Sequence, residues 1–179
     1  MTLFNRVIRD PAAYDFNVET LGECKIDSPA RQRQFITPGS RAVVAQDVAL
    51  LQDAAAKLQG QLPSFEIAGP HNKTYHDPAW SRAAIVTAGG LCPGLNHVIK
   101  GLVEILAFDY GIKQIYGIRY GFRGFIPKYG HTPLMLTPDV VDTIHEAGGT
   151  ILGTSRGEQA TGDIVDTLSR MNINLLFCV

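Results

Sequence analysis

Strong charge of either sign is missing from this chain: 16 Lys and Arg stand against 17 Asp and Glu, a net charge of −1. Recognition of a nucleic-acid backbone needs clustered Lys and Arg, so no nucleic-acid partner is expected. A small anion needs only local positive charge and stays open. Cysteine is scarce. Cys24, Cys92 and Cys178 are odd in number and far apart, which leaves no disulfide framework or zinc pattern and fits a reducing cytoplasm. Long apolar runs are lacking too. No stretch approaches the roughly 18 consecutive apolar residues of a membrane span, and residues 1–11, with Arg6, Arg9 and Asp10, have no signal-peptide core. A cytoplasmic protein with no membrane partner is expected. Repeats and low-complexity tracts are also absent. The 179 residues, 45% of them hydrophobic, suffice for one domain with a real core and an N-terminal appendage.

Punctuation divides the chain near residue 80. Residues 1–40 carry the breakers Pro11, Pro29, Pro38 and Gly39 and read as an extended arm. Residues 41–59 read as a helix, with Val44, Val48, Leu51, Ala55 and Leu58 as its stripe and Gly60 as its stop. Residues 63–80 read as a linker. From Ser81 the pattern alternates: a strand over 83–86, a helix over 93–109 with Val98, Leu102, Val103, Ile105 and Leu106 inward, and a strand over 114–118. Residues 120–128 read as a loop. Thr137 and Pro138 predict an N-cap and first helical residue, with the helix ending at Gly148. A short helix over 161–171 turns Ile164, Val165 and Leu168 inward. The apolar run 175–179 predicts a strand covered on both faces. The expected domains are therefore 1–80, an arm with helix and linker, and 81–179, an α/β domain with a mostly parallel sheet and helices on both sides.

Residues 87–96, Thr-Ala-Gly-Gly-Leu-Cys-Pro-Gly-Leu-Asn, follow the first of these strands. A strand that turns through glycines into a helix leaves N–H groups free at a partly positive helix start, where phosphate binds. A second glycine-rich segment spans 148–157, Gly-Gly-Thr-Ile-Leu-Gly-Thr-Ser-Arg-Gly.

Together these segments resemble the 6-phosphofructokinase family. The first is similar to its T-x-G-G-x-x-P-G-x-N phosphate loop, the second to its G-G-T-x-L-G-[ST]-x-R segment, and Tyr120-Gly121-Phe122-Arg123-Gly124 lies between them as in the family. The likeness covers about 81–179. The Leu91-Cys92 variant and the long leader resemble the subgroup found in trypanosomatids, plants and many bacteria, whose leader forms an embracing segment. The resemblance implies a Rossmann-like three-layer sandwich. It also implies that Gly90 contacts the nucleotide phosphates, that Arg156 clamps phosphate oxygens with its planar fork, that Gly157 leaves room for the nucleotide, and that Tyr120 lies near it.

The parent activity so implied is transfer of the γ-phosphate of MgATP to fructose 6-phosphate, giving fructose 1,6-bisphosphate, in an enzyme that is a homodimer or homotetramer. In the family a Gly-Gly-Asp-Gly loop helps hold Mg2+ and a Thr-Ile-Asp-Asn-Asp segment supplies the base. Both would follow Val179, so no catalytic or metal-binding residue is assigned here. Glu158 lies closest to the phosphate segments, and Asp139, Asp142, Asp163 and Asp166 read as solvated helix residues. The chain by itself is expected to be inactive and self-associating. A pyrophosphate-dependent member of the family is the alternative. A non-catalytic nucleotide-binding partner of a longer enzyme is another. A dinucleotide-dependent dehydrogenase fits poorly, since Gly-x-Gly-x-x-Gly spacing is lacking and no acidic residue ends the second strand.

Cys92, near a helix start, reads as either a reactive thiol or an apolar filler of the turn, and the filler is preferred. His71, His76, His97, His131 and His145 show no metal-ligand spacing. Arg31, Arg33 and Arg41 read as an anion site or, preferably, as a solvated basic face.

Overall fold

The computed structural model describes residues 7–30 and 34–179. Among these, 7–28 with 34–75 form one compact unit, and 29–30 with 76–179 form a second.

The first unit holds two short antiparallel ladders. Strand β1 (Ile26–Asp27) pairs with β4 (Lys73–Thr74), and β2 (Arg41–Val43) pairs with β3 (Ser64–Glu66). Between β2 and β3, helix α1 covers Val48–Lys57 only. The helix expected over 41–59 thus starts late, because Asp47 takes an extended conformation and its carboxylate accepts the Leu50 N–H at 3.0 Å. A residue that caps in this way fixes the start, and what precedes it is free to be strand. Val44 is buried but Val48 is exposed, so they do not share a helix face. Residues 63–80, expected as a linker, supply both β3 and β4.

The second unit is built on a four-stranded sheet. Its strands are β5 (Arg82–Val86), β6 (Gln114–Ile118), β7 (Leu134–Met135) and β8 (Leu175–Cys178), in the order β7-β6-β5-β8. Strand β5 runs parallel to β6 and β8, while β7 is antiparallel to β6. Along β5 the side chains alternate between two cores, as the period of two in a strand requires. Ala83 and Ile85 pack with Ile99, Val103 and Ile115 on one face. Ala84 and Val86 pack with Ile118 and Phe125 on the other, where Ile164 and Leu168 close the layer. Two helical layers sandwich a mostly parallel sheet, and the α/β fold class stands.

Helix α2 (Leu95–Glu104) starts at Leu95 rather than Pro93, since Gly94 sits in the left-handed region at φ 93°. It ends in a π-turn over Ile105–Asp109, closed by the Tyr110 N–H on the Ile105 carbonyl at 3.2 Å. Its apolar arc is wider than the sheet can cover. Leu95, Ile99 and Val103 are buried, whereas Val98 and Ile105, expected inward, lie exposed at the rim.

Thr137 caps α3 (Pro138–Val141) by accepting the Val140 N–H at 3.3 Å. The helix expected to reach Gly148 is one turn long, followed by a 3-10 turn at Ile144–Glu146. Asp142 and Thr143, weak helix formers, stand at the break. Helix α4 (Thr161–Arg170) matches its expected span closely, although Val165, expected inward, is exposed.

Strand β8 departs from expectation. Leu175 and Phe177 pack on the core, but Leu176 and Cys178 are exposed. They share a face with Ala84 and Val86, through register pairs 84↔176 and 86↔178. Ile164 and Leu168 of α4 pack over Ala84 and Val86 and leave the edge strand's outer positions open.

Candidate functional site

Two loops meet at the carboxyl end of β5, where ligands of parallel α/β sheets bind. The first is the turn from β5 into α2, and the second is the 147–157 segment. Polar side chains fasten one to the other. Thr87, almost wholly buried, donates its hydroxyl to the Gly153 carbonyl at 2.7 Å and lies 3.1 Å from the Thr150 hydroxyl. A hydroxyl has one proton, so Thr150 donates to Thr87 and accepts the Leu152 N–H at 3.2 Å. Thr154 donates to the Gly89 carbonyl at 2.8 Å. Asn96, 2% exposed, spans the junction: its Nδ2 donates to the Ala147 carbonyl and its Oδ1 accepts the Ile151 N–H, both at 2.9 Å.

A third turn closes on the same place. Tyr120, in the left-handed region at φ 61°, donates its N–H to the Leu152 carbonyl at 2.7 Å. Gly121 follows at φ 59°, and a Cβ there would lie 2.9 Å from the Ser155 nitrogen and 2.8 Å from its hydroxyl. The Tyr120 ring stands 4.6 Å from that of His131, with the Arg119 guanidinium 5.2 Å from the Tyr120 centroid.

The four residues singled out for nucleotide contact all lie on these turns. Gly90 and Arg156 each stand within two residues of the Thr154–Gly89 bond. Gly89 needs its glycine, with φ at 105°, whereas Gly90 has no positive φ and nothing within 4 Å of where a Cβ would stand. Among the described residues nothing fills the space beside Gly90. The N–H groups of Gly89, Gly90, Leu91 and Cys92 find no protein acceptor among the described residues. Arg156 is exposed and takes no ion pair or hydrogen bond among them. Gly157, at φ 95°, is demanded by its own backbone. Free N–H groups on one loop and an unpaired guanidinium on the loop joined to it are two of the parts from which a phosphate site can be built.

Magnesium is bound through one or two carboxylates plus phosphate oxygens. Among the described residues no three His, Cys, Asp or Glu side chains gather to hold a metal. Glu146 and Glu158, both exposed, flank the 147–157 segment on opposite sides. The residues present do not form a magnesium cage, and no step is assigned to the ion here.

The residues that hold the loops together, Thr87, Asn96, Thr150 and Thr154, carried no role in the sequence reading. A signal existed for Asn96: a small amide in the first turn of an otherwise apolar-faced helix must find partners when buried. Cys92, preferred as a buried filler, is exposed. Arg31 and Arg33 lie outside the described residues. Arg41 is bonded within the first unit. Among the described residues no helix is long and apolar enough to cross a membrane.

Comparison with known proteins identifies the family of this chain. The phosphofructokinase family model matches residues 82–179. An ATP-dependent 6-phosphofructokinase of Amycolatopsis methanolica is 42% identical over 173 residues, covering 92% of this chain and 37% of that protein. One from Trypanosoma cruzi is 34% identical over 188 residues, covering 98% and 38%. The chain thus spans a little over a third of the length of these curated relatives. Among solved structures, Pichia pastoris phosphofructokinase in the T-state aligns with a TM-score of 0.49 at 25% identity, over 67% of this chain and 12% of that one. With the matched region covering more than half of its residues, the chain belongs to the phosphofructokinase family.

Proposed function

We propose that the second unit is the nucleotide-binding part of an ATP-dependent 6-phosphofructokinase, which passes the γ-phosphoryl group of MgATP to fructose 6-phosphate. The Thr154–Gly89 hydrogen bond carries the reading, because it brings the open Gly90 turn and the unpaired Arg156 to one sheet end. Phosphoryl transfer depends on positioning and charge neutralisation. The N–H groups about Gly90 would hold phosphate oxygens, Arg156 would take the remaining charge, and Tyr120 and Gly157 would border the nucleoside. The donor, the sugar phosphate and homo-oligomeric assembly rest on the relatives' names and the family.

Calorimetric titration of the 179-residue chain with ATP tests this. The wild-type chain is expected to bind. Arg156→Ala is expected to bind roughly tenfold to a hundredfold more weakly, the worth of one or two charge-assisted bonds. A wild-type chain with no affinity for ATP, or an Arg156→Ala chain that binds as tightly, would refute the proposal.

A further inference from the structure

The first unit carries an open cleft of about 610 Å3, within the ~300–1,000 Å3 typical of small-molecule sites. Arg41 lines it, with Tyr14, Asp15, Phe16, Asn17 and Gln61 among its neighbours. The Arg41 guanidinium is held in place from one side. Nε donates to the Ser64 hydroxyl at 2.9 Å, and Nη2 donates to the carbonyls of Phe16, at 2.8 Å, and Ser64. These bonds use three of its five N–H groups and leave both on Nη1 without a protein acceptor among the described residues. No acceptor of the three is a carboxylate, so the positive charge is not neutralised. Asp15 lines the same cleft, and its Oδ1 accepts the Asn17 N–H at 2.9 Å. Asp15 and Arg41 form no ion pair among the described residues. A cleft thus presents a preorganised cation, a separate carboxylate, two amide side chains and two aromatic residues, with neither charge satisfied by the other.

We propose that this cleft binds a small phosphate or carboxylate that also carries hydroxyl donors. Its anionic end lies on Arg41 Nη1, its hydroxyls on Asp15, and its carbon skeleton against Tyr14 and Phe16. A fixed guanidinium loses little freedom on binding and meets two anionic oxygens as a fork. The carboxylate discriminates against a bare anion, which it repels, and favours a ligand with donors. Every residue lining the cleft belongs to the first unit, and none is on the nucleotide loops.

The test is a titration of the whole 179-residue chain with glycerol 3-phosphate, with inorganic phosphate and glycerol as single-feature probes. Binding is followed by NMR at the backbone amides of Asn17 and Gln61 and at Arg41 Nε–H. Saturable shifts are expected with glycerol 3-phosphate and about tenfold weaker binding of either single-feature probe. Arg41→Lys keeps the charge but loses the fork, and is expected to weaken binding at least about tenfold. Because Arg41 also ties Phe16 to Ser64, Asp15→Asn serves as the second variant. It keeps an acceptor for Asn17, and it should weaken glycerol 3-phosphate while leaving inorganic phosphate unharmed. In an Arg156→Ala chain the cleft shifts should persist, which separates this site from the nucleotide loops. Absence of shifts in the first unit, equal affinity for inorganic phosphate, or indifference to Asp15→Asn would each overturn the proposal.

Discussion

Asn96→Ala is expected to cost about 2–4 kcal/mol of folding stability and to weaken ATP binding in the same protein. The side chain is buried and makes two hydrogen bonds of 2.9 Å to groups more than fifty residues away. Removing it leaves the Ile151 N–H and the Ala147 carbonyl without partners, and each such buried group costs about 1–3 kcal/mol. Water entering the gap would recover part of this. The binding loss follows because Asn96 joins the turn before α2 to the segment that carries Arg156. Urea denaturation followed by far-ultraviolet circular dichroism measures the first effect, and calorimetry with ATP the second. Asn96→Asp refines the argument. Its carboxylate can still accept from Ile151 but sets a second oxygen against the Ala147 carbonyl. Burial and that carbonyl favour the protonated acid, so the folded variant holds its proton to higher pH than the unfolded chain. The penalty is then full above the raised folded-state pKa and fades as pH falls through it, because a protonated carboxyl can donate to Ala147. An Asn96→Asp chain no more stable relative to wild type at acid pH would contradict this role.

What could be read from the sequence, and what could not, divides along a physical line. Strand β5 and helix α2 were legible because local periodicity and glycine punctuation carry them: 83–86 is apolar throughout, and Gly94 can enter the left-handed region that starts the helix. Gly90 and Arg156 could be singled out only through the family resemblance of the two glycine-rich segments that hold them; alone, an exposed arginine reads equally as a surface residue. The fastenings between the loops were not legible in this way. Thr87 and Thr154 look like ordinary small polar residues, and only the 63–66-residue leaps of their bonds give them meaning. The failures share a cause. Residues 41–43 carry a pattern that also fits a helix, and pairing with Ser64–Glu66 decides for strand. The apolar arc of α2 predicts Val98 and Ile105 inward, yet both stand exposed while Ile99 and Val103 are buried. Which side chains a helix buries is set by packing, not by the arc itself.

Gly121→Ala and Gly90→Ala should separate the two uses of glycine in this site, and their contrast is the sharper because the substitution is the same. At Gly121 the backbone is left-handed, and the new Cβ would stand 2.9 Å from the Ser155 nitrogen and 3.4 Å from the Thr87 carbonyl. Both are backbone atoms, so no side-chain rotation relieves the crowding. A positive φ costs an alanine about 1 kcal/mol, and forced shifts in a packed junction about 1–3 more. A loss of about 2–4 kcal/mol in stability is expected, together with weakened ATP binding as the three turns are pushed apart. At Gly90 the backbone has no positive φ and the space is empty. An alanine there should leave stability unchanged or raise it by about 0.4–1 kcal/mol, because it restricts the unfolded chain. Binding should nevertheless fall about tenfold or more, since the methyl group occupies the approach of the phosphate to the free N–H groups. Denaturation and calorimetry on the two variants therefore read different physics: Gly121 serves the fold that carries the site, and Gly90 serves only what binds there. If Gly90→Ala lost stability but kept its affinity for ATP, the open turn would be a structural device and the phosphate receptor would have to lie elsewhere.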